Sequence, residues 1–227
     1  MLPQRLYITC HGLGHPAADI EPDARRFWLP ADLFQQTLDA AQVLERDTGI
    51  SVQFTFDDGN LSDHTVALPL LRAHNRRALF FVCAERIGRP GFLDRARLRE
   101  MVAAGMTIGC HGHRHVSWRT LSDAALASEL RDARRAIAEV TGQPVVLASA
   151  PFGELDQRVV RAAMAEGFRC LYSSSGGFAT AQTGLIPRNT LKSDFEPGRD
   201  LPRMAGLPQR AWAGVYDTAR RMKYRFT

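Results

Sequence analysis

Val52-Gln53-Phe54-Thr55-Phe56-Asp57-Asp58-Gly59 decides the fold: an apolar run that ends in two adjacent carboxylates and a glycine. Such a run, closed by a turn residue, reads as a buried strand. It delivers two acids to a turn. Neighbouring side chains on a strand point to opposite faces, so Asp57 and Asp58 stand together only if the chain bends there, and two different roles are more natural than one shared role. About 50 residues on, Cys110-His111-Gly112-His113-Arg114-His115 follows a second short apolar segment, 107–109. Carboxylates and imidazoles that both follow strands suggest a metal.

Outward from this stretch, strand and helix patterns alternate. Residues 6–10 form a first apolar run, followed at once by His11-Gly12. In 31–47, Phe34, Leu38, Ala41 and Leu44 recur at helical spacing, with Pro30 suited to the start and Gly49 to the stop. After the acidic turn, Ser62 or Asp63 caps a helix reaching His74, with Pro69 tolerable only near its first turn. Strands at 78–83, 107–109, 145–148, 168–172 and 185–187 are interleaved with helices at 95–104, 123–141 and 159–166. The helix at 123–141 carries Leu126, Leu130, Ala133, Ile137 and Val140 on one face, between Ser122 and Gly142. Strands alternating with helices imply a parallel sheet. With so many such units in 227 residues, and no glycine-rich phosphate fingerprint after the first strand, the expected fold is α/β: a distorted (β/α) barrel of about seven parallel strands. His11, Asp57, Asp58, His111, His115 and Pro151 all fall just after strands, which places them on one face of such a barrel.

Composition bounds the rest. One catalytic domain over 1–227, with its motifs inside 51–190, is the expectation for a chain 45% hydrophobic. A net charge of +5 eases contact with anionic partners without calling for nucleic acid. Cys10, Cys83, Cys110 and Cys170 are far apart, form no CxxC pair, and read as buried thiols. No signal-peptide core or run of 18 apolar residues is visible, so the expected location is the cytoplasm. The basic tail Arg220, Arg221, Lys223 and Arg225, beside Tyr224 and Phe226, reads as a solvated helix end or as a contact with an anionic membrane surface. Nothing in the sequence decides the oligomeric state.

His111 and His115, four apart, can reach one ion, and one aspartate completes a three-ligand set that leaves open positions. Such an ion polarises a carbonyl and acidifies its water, while the other carboxylate serves as base. The chemistry is metal-assisted hydrolysis.

These residues resemble a known family. TFDDG at 55–59 matches the first motif of the polysaccharide deacetylases of the NodB-homology type, carbohydrate esterase family 4, and 111–115 is similar to their H-(S/T)-x-x-H motif, with Gly112 in the hydroxyl position. By that resemblance Asp57 is the catalytic base, and Asp58, His111 and His115 hold a divalent ion, commonly zinc. The third motif resembles the branch with a Pro-aromatic-Gly turn, here Pro151-Phe152-Gly153, whose Phe152 amide would donate to the oxyanion. The motif's arginine is absent before Pro151, and Arg188, which follows the apolar 185–187, is expected to reach Asp57 from another strand. The family's late leucine-x-histidine motif has no match, because no histidine follows His115. His11 is then either a proton donor at the mouth or a histidine behind it. His113 reads as a solvent-facing spacer, and His64 and His74 as ordinary helix residues. Pro151, Phe152, Trp118 and His11 are the candidate substrate contacts, with Trp118 and Phe152 as apolar walls for a sugar ring. The implied activity is removal of an N-acetyl or related acyl group from an amino sugar of a glycan or glycolipid. Two alternatives stand beside it: a catalytically silent carbohydrate-binding relative, and a hydrolase of a non-sugar amide.

Overall fold

The computed structural model describes residues 5–16, 22–179 and 184–224. Eight parallel segments, β1 (Arg5–Cys10), β2 (Ser51–Phe56), β3 (Ala78–Val82), β4 (Thr107–Cys110), β5 (Leu147–Ser149), β6 (Cys170–Ser173), β7 (Gly184–Pro187) and β8 (Asn189–Thr190), are hydrogen-bonded in the spatial order β7-β6-β5-β4-β3-β2-β1-β8. β7 and β8 are two halves of one stretch broken at Arg188. The first half pairs with β6, and the second with β1 through Ile8↔Asn189 and Thr9↔Thr190. One stretch thus joins the two ends of the sheet, and the result is a nearly closed, distorted (β/α) barrel of seven staves. At the break, the Asn189 side chain does part of the ladder's work: its Nδ2 donates to the Tyr7 and Gly177 carbonyls at 3.1 and 2.9 Å. Phe178–Ala179 runs antiparallel against the start of β1.

Strands buried on both faces carry two apolar layers. Side chains alternate, so Tyr7, Phe81, Tyr172 and Ile186 fill the barrel interior, while Leu6, Ile8, Phe80, Leu171 and Leu185 face the helices. The outer layer is the larger core. In it Phe34 from α1 (Ala31–Thr48) meets Phe54 and Phe56 edge-on at 5.7 and 5.6 Å, and Phe56 stacks on Phe80 at 4.6 Å. Truncating any of these rings to alanine costs about 3–5 kcal/mol.

Besides a single helical turn at Pro22–Arg25, the remaining α-helices are α2 (Leu68–Ala73), α3 (Arg95–Ala103), α4 (Asp123–Thr141), α5 (Gln157–Ala165), α6 (Pro197–Met204) and α7 (Leu207–Tyr224). Capping follows the sequence closely: the Asp94, Ser122 and Asp156 side chains accept the amides of Arg97, Ala125 and Val159, and Gly49 and Gly142 end their helices in the left-handed conformation. The helix after the acidic turn departs from expectation. Neither Ser62 nor Asp63 caps it: Ser62 Oγ accepts the Leu13 amide at 3.1 Å, and Asp63 is buried. Asp63–Ala67 instead forms a wide π turn, and α2 starts afresh at Leu68, which puts Pro69 in a first turn where its missing N–H costs nothing.

All four cysteines are buried free thiols. No helix among the described residues is long and apolar enough to cross a membrane. Arg225 and Phe226 of the basic tail lie outside the described residues.

Candidate active site and metal centre

The carboxyl ends of β1, β2, β4 and β5 surround a cavity of about 380 Å³ lined by His11, Ala24, Arg26, Phe27, Asp57, Asp58, His111, His115, Ala150, Phe152, Gly153, Ser174 and Thr190. A larger groove beside α2 and α3, lined by residues such as His64 and Glu100, holds none of these groups. The bend that lets both aspartates reach one cavity is backbone-made: Asp58 and Gly59 have φ of 79° and 73°. A Cβ at position 59 would stand 3.0 Å from Val82 Cγ1, so the glycine answers both the turn and the packing.

Asp57 is 2% exposed and is gripped from below. Arg188, fully buried, places Nη1 and Nη2 each 2.7 Å from Oδ1 and Oδ2, a bidentate pair. The expected partnership of Arg188 with Asp57 is present in the geometry. Arg188 is itself held by the Thr55 and Ser149 hydroxyls at 3.2 and 2.6 Å, and its guanidinium lies over the Phe81 and Tyr172 rings that floor the site. Ser149 Oγ also donates to Asp57 at 3.2 Å. Burial pushes the Asp57 carboxyl up, but the charge and hydrogen bonds of Arg188, with His111 and His11 nearby, hold it at about 2. It is ionised at any working pH.

Asp58, His111 and His115 each offer one donor atom, all within 4.8 Å of one another. The donor set of one carboxylate and two imidazoles suits a divalent transition ion. Orientation suits it too: His111 Nδ1 donates to the Ser149 carbonyl at 2.8 Å, which leaves the Nε2 lone pair facing Asp58. Burial drives the His111 pKa down to about 4, against the upward pull of Asp57 and Asp58, so the ring is neutral as a ligand must be. His115 Nε2 lies 3.1 Å from Asp58 Oδ1. Burial raises the Asp58 carboxyl, yet the hydrogen bond from His115 and the charges of His11 and His111 outweigh it and leave the group well below the usual carboxylate range. Arg86 completes its surroundings, 3.0 Å from the same oxygen.

Gly112, the departure from the family motif, has a physical cause. Its φ is 83°, and a Cβ there would stand 3.0 Å from both Glu129 Oε1 and Trp118 Nε1. The loop is tied to α4 instead: buried Glu129 accepts the amides of His113 and Arg114 at 2.7 Å each, and the Arg114 guanidinium at 2.9 Å. This carboxylate sets the backbone from which His111 and His115 project.

Not every expected contact is brought to the cavity. Trp118 is fully buried in the core between barrel and helices and forms no wall for a ligand. The other aromatic that lines the cavity with Phe152 is Phe27, from the segment between β1 and α1. Phe152 is 64% exposed, in a left-handed conformation with φ of 60°, and packs on His115 at 4.9 Å between ring centres. Phe27 packs on His11 at 5.1 Å. His11 lines the cavity, with its Nδ1 buried and without a hydrogen-bond partner among the described residues. Pro151 is buried and holds the turn that presents Phe152. His64 pairs with Glu100 and His74 with Asp39, both away from the site.

Residues 45–171 match the polysaccharide deacetylase family. A Bacillus subtilis (strain 168) protein, YxkH, provisionally named a polysaccharide deacetylase, is 25% identical over 170 residues; the match covers 73% of this chain and 61% of that relative's length. Among solved structures, the Streptococcus pyogenes deacetylase PplD, in complex with acetate, superposes with a TM-score of 0.77 at 18% identity, covering 90% of this chain and 99% of that one. IcaB from Ammonifex degensii gives 0.71 at 20% identity, covering 93% and 97%.

Proposed function

The chain belongs to the polysaccharide deacetylase family, and on that premise we propose that it hydrolyses an N-acetyl, or related N-acyl, group from an amino sugar of a glycan or glycolipid. The observation that carries this reading is one carboxylate locked ionised by Arg188 beside a separate set of three ligands, Asp58, His111 and His115, in the same cavity. That is a base and an ion site with distinct duties.

Zinc fits two imidazoles and a carboxylate, and Asp58, His111 and His115 would hold it, where it would supply Lewis acidity toward the amide carbonyl and an attacking water. The protein does the rest. Asp57 takes the proton of the water as its oxygen adds to the acyl carbon, and the fork of Arg188 keeps the accepting oxygens aimed and deprotonated. The Phe152 amide, presented by the Pro151 turn, donates to the carbonyl oxygen as negative charge gathers there. The C–N bond then breaks and the sugar nitrogen needs a proton. His11 gives it: among the described residues it is the imidazole that lines the cavity outside the ion-binding set. Phe27 and Phe152 offer their faces to the sugar ring.

The test is His11→Ala in zinc-reconstituted protein assayed for acetate release from N-acetylglucosamine oligomers. Loss of general acid catalysis is expected to lower kcat by about 10² to 10⁴ with zinc content unchanged. An N-acetyl anilide whose leaving amine needs little protonation should be affected far less. Equal slowing of both substrates, or loss of zinc, would remove His11 from the role of proton donor.

A further inference from the structure

The rim of the cavity carries a cation that the hydrolytic scheme leaves unused. Arg26 lines the same pocket as His11, Asp57 and Asp58, is exposed, and makes no ion pair among the described residues. It is nevertheless placed. Its carbonyl accepts the Ser193 amide at 2.7 Å, and its guanidinium lies over the Phe27 ring at 4.9 Å, which in turn packs on His11. Arg26, Phe27 and His11 are therefore one stacked run along the pocket.

The charge balance gives a second, independent observation. Each acid of the site already has its own arginine: Arg188 on Asp57 and Arg86 on Asp58. A divalent ion enters a pocket whose carboxylates are matched before it arrives, and Arg26 adds a further positive charge. Thr190 lines the same pocket with its Oγ1 buried and without a partner among the described residues, a hydroxyl free to donate. A neutral sugar can accept from that hydroxyl but leaves the excess of charge unanswered, whereas an anion answers both.

We propose that the substrate bears an anionic group, a phosphate or a carboxylate, on or next to the acylated sugar, and that Arg26 receives it. Arg suits the task, since its planar fork pairs with two oxygens of either anion. The inference rests on the deacetylase reading for the acylated sugar, but its own content is the anion. Arg26 is a specificity-determining residue, with the sugar ring held between Phe27 and Phe152 and the anion lying over the Phe27 edge of the pocket.

The experiment compares kcat/KM of the zinc-loaded full chain for three probes: a neutral N-acetylglucosamine oligomer, N-acetylglucosamine carrying a phosphate monoester, and an N-acetylated amino uronic acid. Calorimetric binding of the same probes to zinc-loaded Asp57→Asn runs alongside. At least one anionic probe is expected to exceed the neutral one by about tenfold or more, and whichever does so identifies the anion. Arg26→Gln should cut that preference about tenfold, mainly through KM, Arg26→Lys should restore part of it, and raised salt should shrink it. Equal use of neutral and anionic probes, or a preference that survives Arg26→Gln, would overturn the inference while leaving the deacetylase reading intact. Turnover of none of the three, with Arg26-dependent binding of an anionic probe, would instead leave the anion site standing and count against deacetylation.

Discussion

Replacing Arg188 with alanine removes both 2.7 Å bonds to Asp57, together with the donors to Thr55 Oγ1, Ser149 Oγ and the Ser173 carbonyl. Asp57 becomes a buried carboxylate with only Ser149 as a close partner, at 3.2 Å. Breaking a buried ion pair from one side costs about 3–5 kcal/mol. A second route gives a consistent figure: a carboxyl held at about 2 instead of its ordinary 3.8 accounts for about 2.4 kcal/mol of native stability, to which the lost bonds to Thr55 and Ser149 add. The folded pKa lies below the unfolded one, so this stability is present above about pH 4 and is lost as pH falls toward 2. Arg188→Ala should therefore lower Tm by roughly 10 °C at pH 7 and progressively less in acid. With the guanidinium gone, the largest influence left on Asp57 is burial, against which only His111, His11 and the Ser149 hydroxyl still act, so its pKa rises and the acidic limb of kcat/KM for acetate release should move upward with zinc content unchanged. Arg188→Lys guards against a variant that fails to fold: it keeps a charge but not the fork, and should show the same shift in smaller measure. Wild-type Tm at pH 7 with an unmoved acidic limb would refute this account of the pair.

Three further outcomes follow from the same geometry. Glu129→Ala should weaken zinc binding about 10- to 100-fold in competition with a chromophoric chelator, because the loop carrying His111 and His115 loses its anchor; unchanged affinity would make Glu129 a helix residue and nothing more. Asp63 is fully buried with neither carboxylate oxygen partnered among the described residues, and burial together with Asp58 and Asp57 raises its pKa well above normal. Its folded pKa exceeds the unfolded one, so its penalty grows as pH rises past about 4, and Asp63→Asn should raise Tm at pH 8 while changing little at pH 4; a lower Tm at pH 8 would contradict this. Asp57→Asn should abolish turnover and keep zinc, whereas Asp58→Asn should lose the ion, a contrast that elemental analysis beside the rate assay can read directly.

Much of this site was legible in the sequence because barrel folds put chemistry where strands end. Runs such as 52–56 and 185–187 announce strands by themselves, so Asp57, Asp58 and Arg188 could be placed at one mouth before any pairing was known. The break at Arg188, which lets one stretch clasp both β6 and β1, left no trace in composition. Arg26 and Phe27 were invisible because they belong to an irregular loop without period, and Arg86 because a short 3₁₀ turn brings it back to Asp58. Glu129 did leave a signal: it stands three residues after Leu126 and four before Ala133, a carboxylate on the apolar stripe of α4, where burial demands a partner. Trp118 misled for the opposite reason. An aromatic just past the histidine loop can be wall but is more often core, and here Gly112 of the Glu129-tied loop lies against it and it is fully buried.

The proposed hydrolysis of an N-acetylated sugar needs both parts of one cavity: the base held by Arg188 and the ion that Asp58, His111 and His115 would hold. Its most direct test is acetate release from N-acetylated glucosamine substrates, neutral and anionic, followed while zinc is removed by a chelator and then restored. Activity that vanishes with the ion, returns in proportion to zinc bound at one per chain, and is absent in zinc-loaded Asp57→Asn is the predicted result. Acetate release that persists in the chelated protein, or no release from any of these substrates at full zinc occupancy, would contradict it.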